Sequence, residues 1–570
     1  MFRKNNQQQQ PSFFNSDFLM PEKLRRQLYN SWAHTFRTMV FGQIPEERFA
    51  ILYSKVDSRP NAPVNVLVGG DMLKSGFGWT DEELESHLQF DLQTRYALGL
   101  DDLGQTVPTV RTFQNLRRRV REHAEATGEN LYQVIFEAVT DEQIEQLGVK
   151  VGWQRMDSTQ LLSNIALVSR LELVLRVLQQ GVAALPLEQQ AIWQETEAKY
   201  VSKQPRHICY RLKDEEVPGY LQRVGKLLVQ LAAELEATTA AESEALTLVG
   251  RVLREQYEIE DDQPVKLRPA AEVAADSLQS PHDPEATYRE KNGERYRGYV
   301  ANISETCDPE NPVQLIVSVQ TAPNNTDDGH LLAQSLTEQR ERGHQVEKVT
   351  IDGGYTGPTA EAACGPETEL HPSRVRGGKS KANKWGYKAY DWHLDAAGVP
   401  EKVGCRRGQV IDLEPGHKPD RWLARFDQGT CDQCPFFQKQ CRVEARKRTG
   451  PTLLVTTRSI QVAQLRQRIT ATNNGVRAGV EATVRSVKHP FPGGKLPVRG
   501  EIRAHMTVCG SALMVNVHRL CRYFREQVSR LDTNASIASV LAQLVAFIAI
   551  VMARYRRLVA VFAHRPVISI

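Results

Sequence analysis

Three carboxylates are set apart by what surrounds them. Asp157 lies in Met156-Asp157-Ser158-Thr159, and Asp352 in Ile351-Asp352-Gly353-Gly354-Tyr355, where two glycines let the backbone turn sharply after a strand. This reading places both acids at strand ends, where an α/β sheet presents side chains into a crevice. The third acid is picked out by charge: between Glu444 and Glu501 stand eleven Lys and Arg residues and one carboxylate, Glu481. Asn474, Arg477, Glu481 and Lys488 follow at intervals of three, four and seven residues, which predicts one face of a single helix, ended by Pro490. Three hard oxygen ligands suit magnesium or manganese, and two such ions can activate a water or hydroxyl and stabilise a leaving oxygen in phosphoryl transfer. Arg477, Arg485 and Lys488 would then hold a DNA phosphate beside the acid. Each carboxylate also has a plainer reading: Asp157 as a helix N-cap, Asp352 as a turn residue, Glu481 as an ion-pair partner of Arg477 or Arg485.

Cysteines form a second constellation. Cys405, Cys431, Cys434 and Cys441 follow a C-x25-C-x2-C-x6-C pattern, which suits one structural zinc or a set of unligated buried thiols. Ahead of them, residues 371–390 carry Arg374, Arg376, Lys379, Lys381, Lys384 and Lys388 without one acid, interleaved with Trp385, Tyr387 and Tyr390. Cations that bind phosphates between aromatics that stack on bases make a nucleic-acid stripe; a flexible basic loop is the alternative.

The elements that must position these groups change character along the chain. Residues 20–130 read as helical, with Thr80 and Glu83 spaced as a capping box. A helix from near Thr109 carries Arg111, Arg117, Arg118, Arg119 and Arg121, either docking on DNA or presenting an ordinary solvated face. Leu161 to Ile259 is helical in pattern, and Asp261 to Pro284, with four prolines, reads as a linker. Strands are expected at Arg295–Ile303, Val313–Val319 and Val346–Ile351, with a helix from Asp327 to Arg342 between the last two, so an α/β core is predicted.

Composition bounds the rest. A chain of 570 residues exceeds one core, and a formal charge of +4 does not by itself announce a nucleic-acid partner. Nine cysteines without a charged-then-apolar leader fit a reducing cytoplasm. Gln7 to Gln10 predicts a disordered start. Thr533 to Ala553 is uncharged and long enough to cross a membrane, but Asn534, Ser536, Ser539 and Gln543 argue for a buried or partner-covered helix.

The chain resembles bacterial insertion-sequence transposases of the DDE type, apart from its first twenty residues and its hydrophobic end. Asp157-Ser158-Thr159 with Asn164 and Ser169-Arg170 is similar to the family's first-aspartate segment. Gly298-Tyr299, Thr321-Ala322-Pro323-Asn324 and Asp327 resemble its central strands, and Ile351 to Tyr355 its second-aspartate segment. Arg477, Glu481 and Lys488 fit its Tyr-x2-Arg-x3-Glu-x6-Lys signature, with Asn474 where the tyrosine is expected. The region from Glu83 to Arg118 looks like the helical domain that precedes the core in these proteins.

The resemblance implies an RNase H-like mixed-sheet core with a helical N-terminal domain, a helical insertion and a cysteine-containing insertion. The expected division is a disordered tail at 1–18, a helical DNA-binding domain at 19–145, the core at 146–160 with 285–360 and 450–530, the helical insertion and linker at 161–284, the basic, cysteine-containing insertion at 361–449 and a hydrophobic C-terminal helix at 531–570. It also implies catalysis by Asp157, Asp352 and Glu481 with two magnesium or manganese ions. DNA contacts are expected from Arg477, Arg485, Lys488, Lys379, Lys381, Lys384, Arg117 and Arg118. The partners would be transposon terminal inverted repeats and target DNA, held by a homodimer or larger synaptic assembly, with no small-molecule substrate. Two rival readings are a nuclease without strand transfer and a repurposed protein that only binds DNA.

Overall fold

The computed structural model describes residues 1–5, 20–56, 60–238, 243–259, 265–291, 293–375, 384–395, 398–446, 449–469 and 471–534. The glutamine run and all but the first residues of the hydrophobic C-terminal segment lie outside them. Among the described residues no helix is long and apolar enough to cross a membrane.

Helices dominate the first 150 residues. The central one, α1 (Val64–Phe77), is buried from Val64 through Leu73 and ends on Gly78 in the left-handed conformation. The predicted capping box exists: Thr80 accepts from the Glu83 N–H and Glu83 accepts in return, starting α2 (Asp81–Phe90). The arginine-rich helix is α3 (Val110–Thr127), whose Phe113, Leu116, Val120 and Ala124 face inward at helical spacing, and α4 (Leu131–Leu147) follows.

The sheet is built from six strands: β1 (Trp153–Leu162), β2 (Thr287–Lys291), β3 (Glu294–Thr306), β4 (Ile316–Pro323), β5 (Lys348–Ile351) and β6 (Glu369–Pro372). Its order is β2-β3-β1-β5-β6, with β4 on the same edge of β3 as β2. The β1–β5 and β5–β6 pairs are parallel and the others antiparallel. This mixed sheet with its preceding helices is an α/β fold consistent with an RNase H-like core. Helix α5 (Asp328–Glu341), capped by Asp327, covers one face through Leu332 and Leu336 against Met156, Val349 and Ile351. The other face receives α6 (Ala471–Lys488) and α7 (Glu501–Asn534).

Three expectations shift. Asp157 lies in the middle of β1, not at a strand end, because the extended stretch continues to Leu162. The strand expected at Val313–Val319 is displaced to Ile316–Pro323. The described part of the proline-rich linker is docked: Asp283 is buried and accepts hydrogen bonds from Ser163 and, at 2.5 Å, from the Tyr299 hydroxyl.

Two apolar cores stand out. Phe36, Leu67, Phe113 and Phe136 of the N-terminal helices pack in one cluster with Tyr299 and Val319 of the sheet, Val487 of α6 and Leu513 of α7. Gly76 on α1 faces Met514 and Gly510 on α7 faces Ser75 so closely that a Cβ at either would meet its neighbour, which is how the two helices approach. The helices Arg170–Ala183, Val217–Glu236 and Glu244–Gln256 bury a separate cluster of their own.

Candidate functional site

Parallel pairing brings the two aspartates together. Trp153 lies opposite Lys348, Gln154 opposite Val349 and Arg155 opposite Thr350. Continued by two residues, that register sets Asp157 beside Asp352, one step past the end of β5. Side chains alternate along a strand, so Arg155, Asp157 and Thr159 share the face opposite to buried Gln154, Met156 and Ser158. On the far face Ser158 donates to Asp328 at 2.9 Å.

Helix α6 is laid across the Asp157 face by a buried ion cluster. Glu305 on β3 is fully buried and takes Arg155 Nε at 2.7 Å, Arg519 Nη1 at 2.7 Å and the Thr483 hydroxyl at 2.8 Å. One carboxylate thus ties β1, β3, α6 and α7 together. Arg155 also donates to the Val476 carbonyl at 3.3 Å, and Gly479 leaves room for its guanidinium. Sequence reading missed Glu305 because a single acid in a strand carries no periodic signal.

Glu481 therefore projects toward the aspartates, and Arg477 is the hinge of the arrangement. Its Nη1 lies 3.2 Å from Asp352 Oδ1, and its Nε lies 2.9 Å from Glu481 Oε1, an ion-pair contact whose N–H is not aimed at the oxygen. Arg374 adds a second cation 3.0 Å from Asp352. Burial pushes the Asp157 carboxyl up to about 6, with the Asp352 charge adding to the rise while the Ser158 N–H, Arg477 and Lys291 oppose it. Burial also raises Asp352, but Arg374, the Gly353 N–H and Arg477 outweigh it and hold that carboxyl below its ordinary value. Lys488 donates to the Gln160 carbonyl at 2.9 Å; burial, and then the like charge of Lys291, lower its pKa. Lys291, at the end of β2, is a cation at this site that no motif had marked.

The donor set is hard oxygen, and a buried carboxyl that resists ionising is one that a cation would relieve, so the residues suit a divalent ion. Among the described residues, however, no three His, Cys, Asp or Glu side chains are disposed as a metal site; Arg477 lies between two of the acids.

The remaining expected residues are scattered. Arg485 is exposed on α6. Arg117, read from sequence as a DNA contact, is turned inward: its guanidinium meets Asp71 at 2.5 Å and Asp81 at 2.8 Å, and Asp71 also accepts from Tyr132. The reason is its place on the apolar face of α3, one residue beyond Leu116. Arg118 is exposed and pairs with Glu122 at 2.9 Å. Lys384 is half-buried, whereas Lys379 and Lys381 lie outside the described residues, as does the side chain of Asn474. All nine cysteines are free. Burial and the neighbouring Cys441, Cys405 and Cys434 push the Cys431 thiol up to about 11.

Comparison with known proteins adds two family matches. Neither the curated proteins nor the solved structures contain a match to the chain. Residues 405–521, which include Arg477, Glu481, Lys488 and the four clustered cysteines, match the family model described as Transposase DDE domain. Residues 28–119, the N-terminal helices through most of α3, match the one described as Transposase domain (DUF772). Asp157 and Asp352 fall outside both spans. Together the two matches span just over a third of the chain, and both describe transposase domains.

Proposed function

We propose that the chain cleaves transposon ends and joins the freed 3′-hydroxyl to target DNA, with Asp157, Asp352 and Glu481 holding two magnesium or manganese ions. The observation that carries this reading is the gathering of three carboxylates, from β1, the end of β5 and α6, around the one guanidinium of Arg477. Two bound cations would supply the activation of the attacking oxygen and the charge stabilisation of the leaving one.

The chain's own residues do the rest. Glu305 fixes α6 against the sheet so that Glu481 faces the aspartates. Asp157 gives up its proton once positive charge offsets its burial. Arg477, Arg485, Lys488 and Lys291 offer donors to the phosphates at the cleavage point, and Arg118, Arg374, Lys379, Lys381 and Lys384 extend the contact along the backbone. Two DNA ends call for at least two copies, so a homodimer or larger synaptic assembly is the working state.

The test is cleavage and strand transfer on end-bearing DNA in magnesium and in manganese. Asp157→Asn, Asp352→Asn and Glu481→Gln should each lose cleavage by orders of magnitude while still binding DNA. Wild-type protein that binds without cutting would leave a DNA-binding protein, and cutting without joining would leave a nuclease.

A further inference from the structure

We propose that Cys405, Cys431, Cys434 and Cys441 together bind one structural zinc ion, apart from the carboxylate site. The four lie within a 37-residue span, yet all line one small, partly open cavity with about 20 Å³ of free volume. That is room for about one water-sized particle and no more.

The local backbone is shaped for thiolate ligands. At Cys405 the chain turns back through Gly408, which has φ +85° and donates its N–H to the Cys405 carbonyl at 2.9 Å, and the Cys405 N–H bonds the Gln409 carbonyl at 2.9 Å. The Cys434 N–H likewise bonds the Cys431 carbonyl at 3.0 Å, closing the C-x2-C turn. Both turns place their cysteines on the wall of one cavity, from which the halves of a structural zinc site could close on an ion.

Around the sulfurs stand groups that favour a charged centre. The Tyr390 hydroxyl lies 3.2 Å from Cys441 Sγ, and the Gln409 side-chain amide lies 3.8 Å from Cys431 Sγ. Arg406 and Arg407 line the same cavity, and four thiolates with one zinc leave two negative charges to be offset. The need is structural. This part of the chain buries a small cluster of its own, centred on Trp392, Val403, Phe426 and Val455, and small cores of this kind are commonly held by a metal.

The site would also anchor the basic stretch. Trp385 packs against Phe436 with its ring tilted, is covered by Arg406 and donates its backbone N–H to the Gln440 carbonyl, so the returning end of the lysine-rich segment is fastened next to the cysteines. In the conformation described, the four thiols do not close on one centre. Binding would draw the four sulfurs in to about 2.3 Å from the ion.

The test is made on the full-length protein purified without chelator. Elemental analysis should find about one zinc per chain, absent in Cys434→Ser and Cys441→Ser and kept in Cys209→Ser, whose thiol lies in the helical insertion. If the serine variants fail to fold, cobalt exchanged into the unmodified protein decides: four thiolates give strong sulfur-to-cobalt charge transfer and tetrahedral visible bands. Zinc-free protein whose four thiols react freely or pair as disulfides would overturn the proposal. So would zinc that survives both serine substitutions, or a cobalt spectrum without thiolate bands.

Discussion

Arg477 makes the three acids readable as a group. Its spacing from Glu481 was legible in the sequence, since four residues is one helical turn, but its contact with Asp352 joins segments 125 residues apart and leaves no local trace. Asp157 was legible as a candidate and misplaced within its strand, because Ser158 and Thr159 read equally well as a helix start. Its burial has a measurable consequence. The folded state holds the proton more tightly than the unfolded chain, so Asp157 lowers stability as pH rises from about 4 to about 6 and the loss then stays constant. Asp157→Asn should therefore raise stability at pH 7 in a chelator by at most about 3 kcal/mol, a tenfold change in proton affinity being worth about 1.4 kcal/mol. The gain should vanish toward pH 4. Thermal melts at the two pH values check this, and an equal effect at both would mean that the carboxyl is not desolvated.

Elements carry the site through Glu305. A buried carboxylate taken from two arginines leaves their charges without a partner, and breaking such a cluster costs about 3–5 kcal/mol. Glu305→Ala should show that loss in urea unfolding of the metal-free protein; a loss under about 1 kcal/mol would show that Arg155 and Arg519 find other partners. Gly479 tests position, not stability. A methyl group there meets the Arg155 guanidinium, which is already held by Glu305 and the Val476 carbonyl. Gly479→Ala should move α6 off the sheet and slow single-turnover cleavage about a hundredfold, with DNA affinity little changed. Unchanged cleavage would mean that Arg155 yields and the helix stays. The helix itself was plain from its spacing, as were β3, α5 and β5 from their composition and turns. Glu305 and Gly479 were not, because each owes its role to a neighbour far away in sequence.

On the scale of the whole molecule, the apolar clusters predict how the protein opens. Helices Arg170–Ala183 and Val217–Glu236 bury a cluster separate from the one that joins α1, β3 and α7. Hydrogen exchange should therefore find the insertion exchanging as its own unit, while α1, β3 and α7 share one level of protection. Different protection of α1 and α7 would contradict a common core. The N-terminal helices were legible as helices, but their dependence on α7 was not. The fit of Gly76 against Met514 and of Gly510 against Ser75 is a property of two surfaces, not of either sequence.

That fit also governs when the protein comes into being. The first helices leave the ribosome about 420 residues before α7 does. At about 5–20 residues per second they wait roughly twenty to ninety seconds with one flank uncovered. A message cut short after the codon for Glu481 encodes all three carboxylates, yet its product lacks the helix that completes the core. Such a fragment should be degraded rather than persist as a binding-competent competitor. Only a finished copy would then carry the completed core.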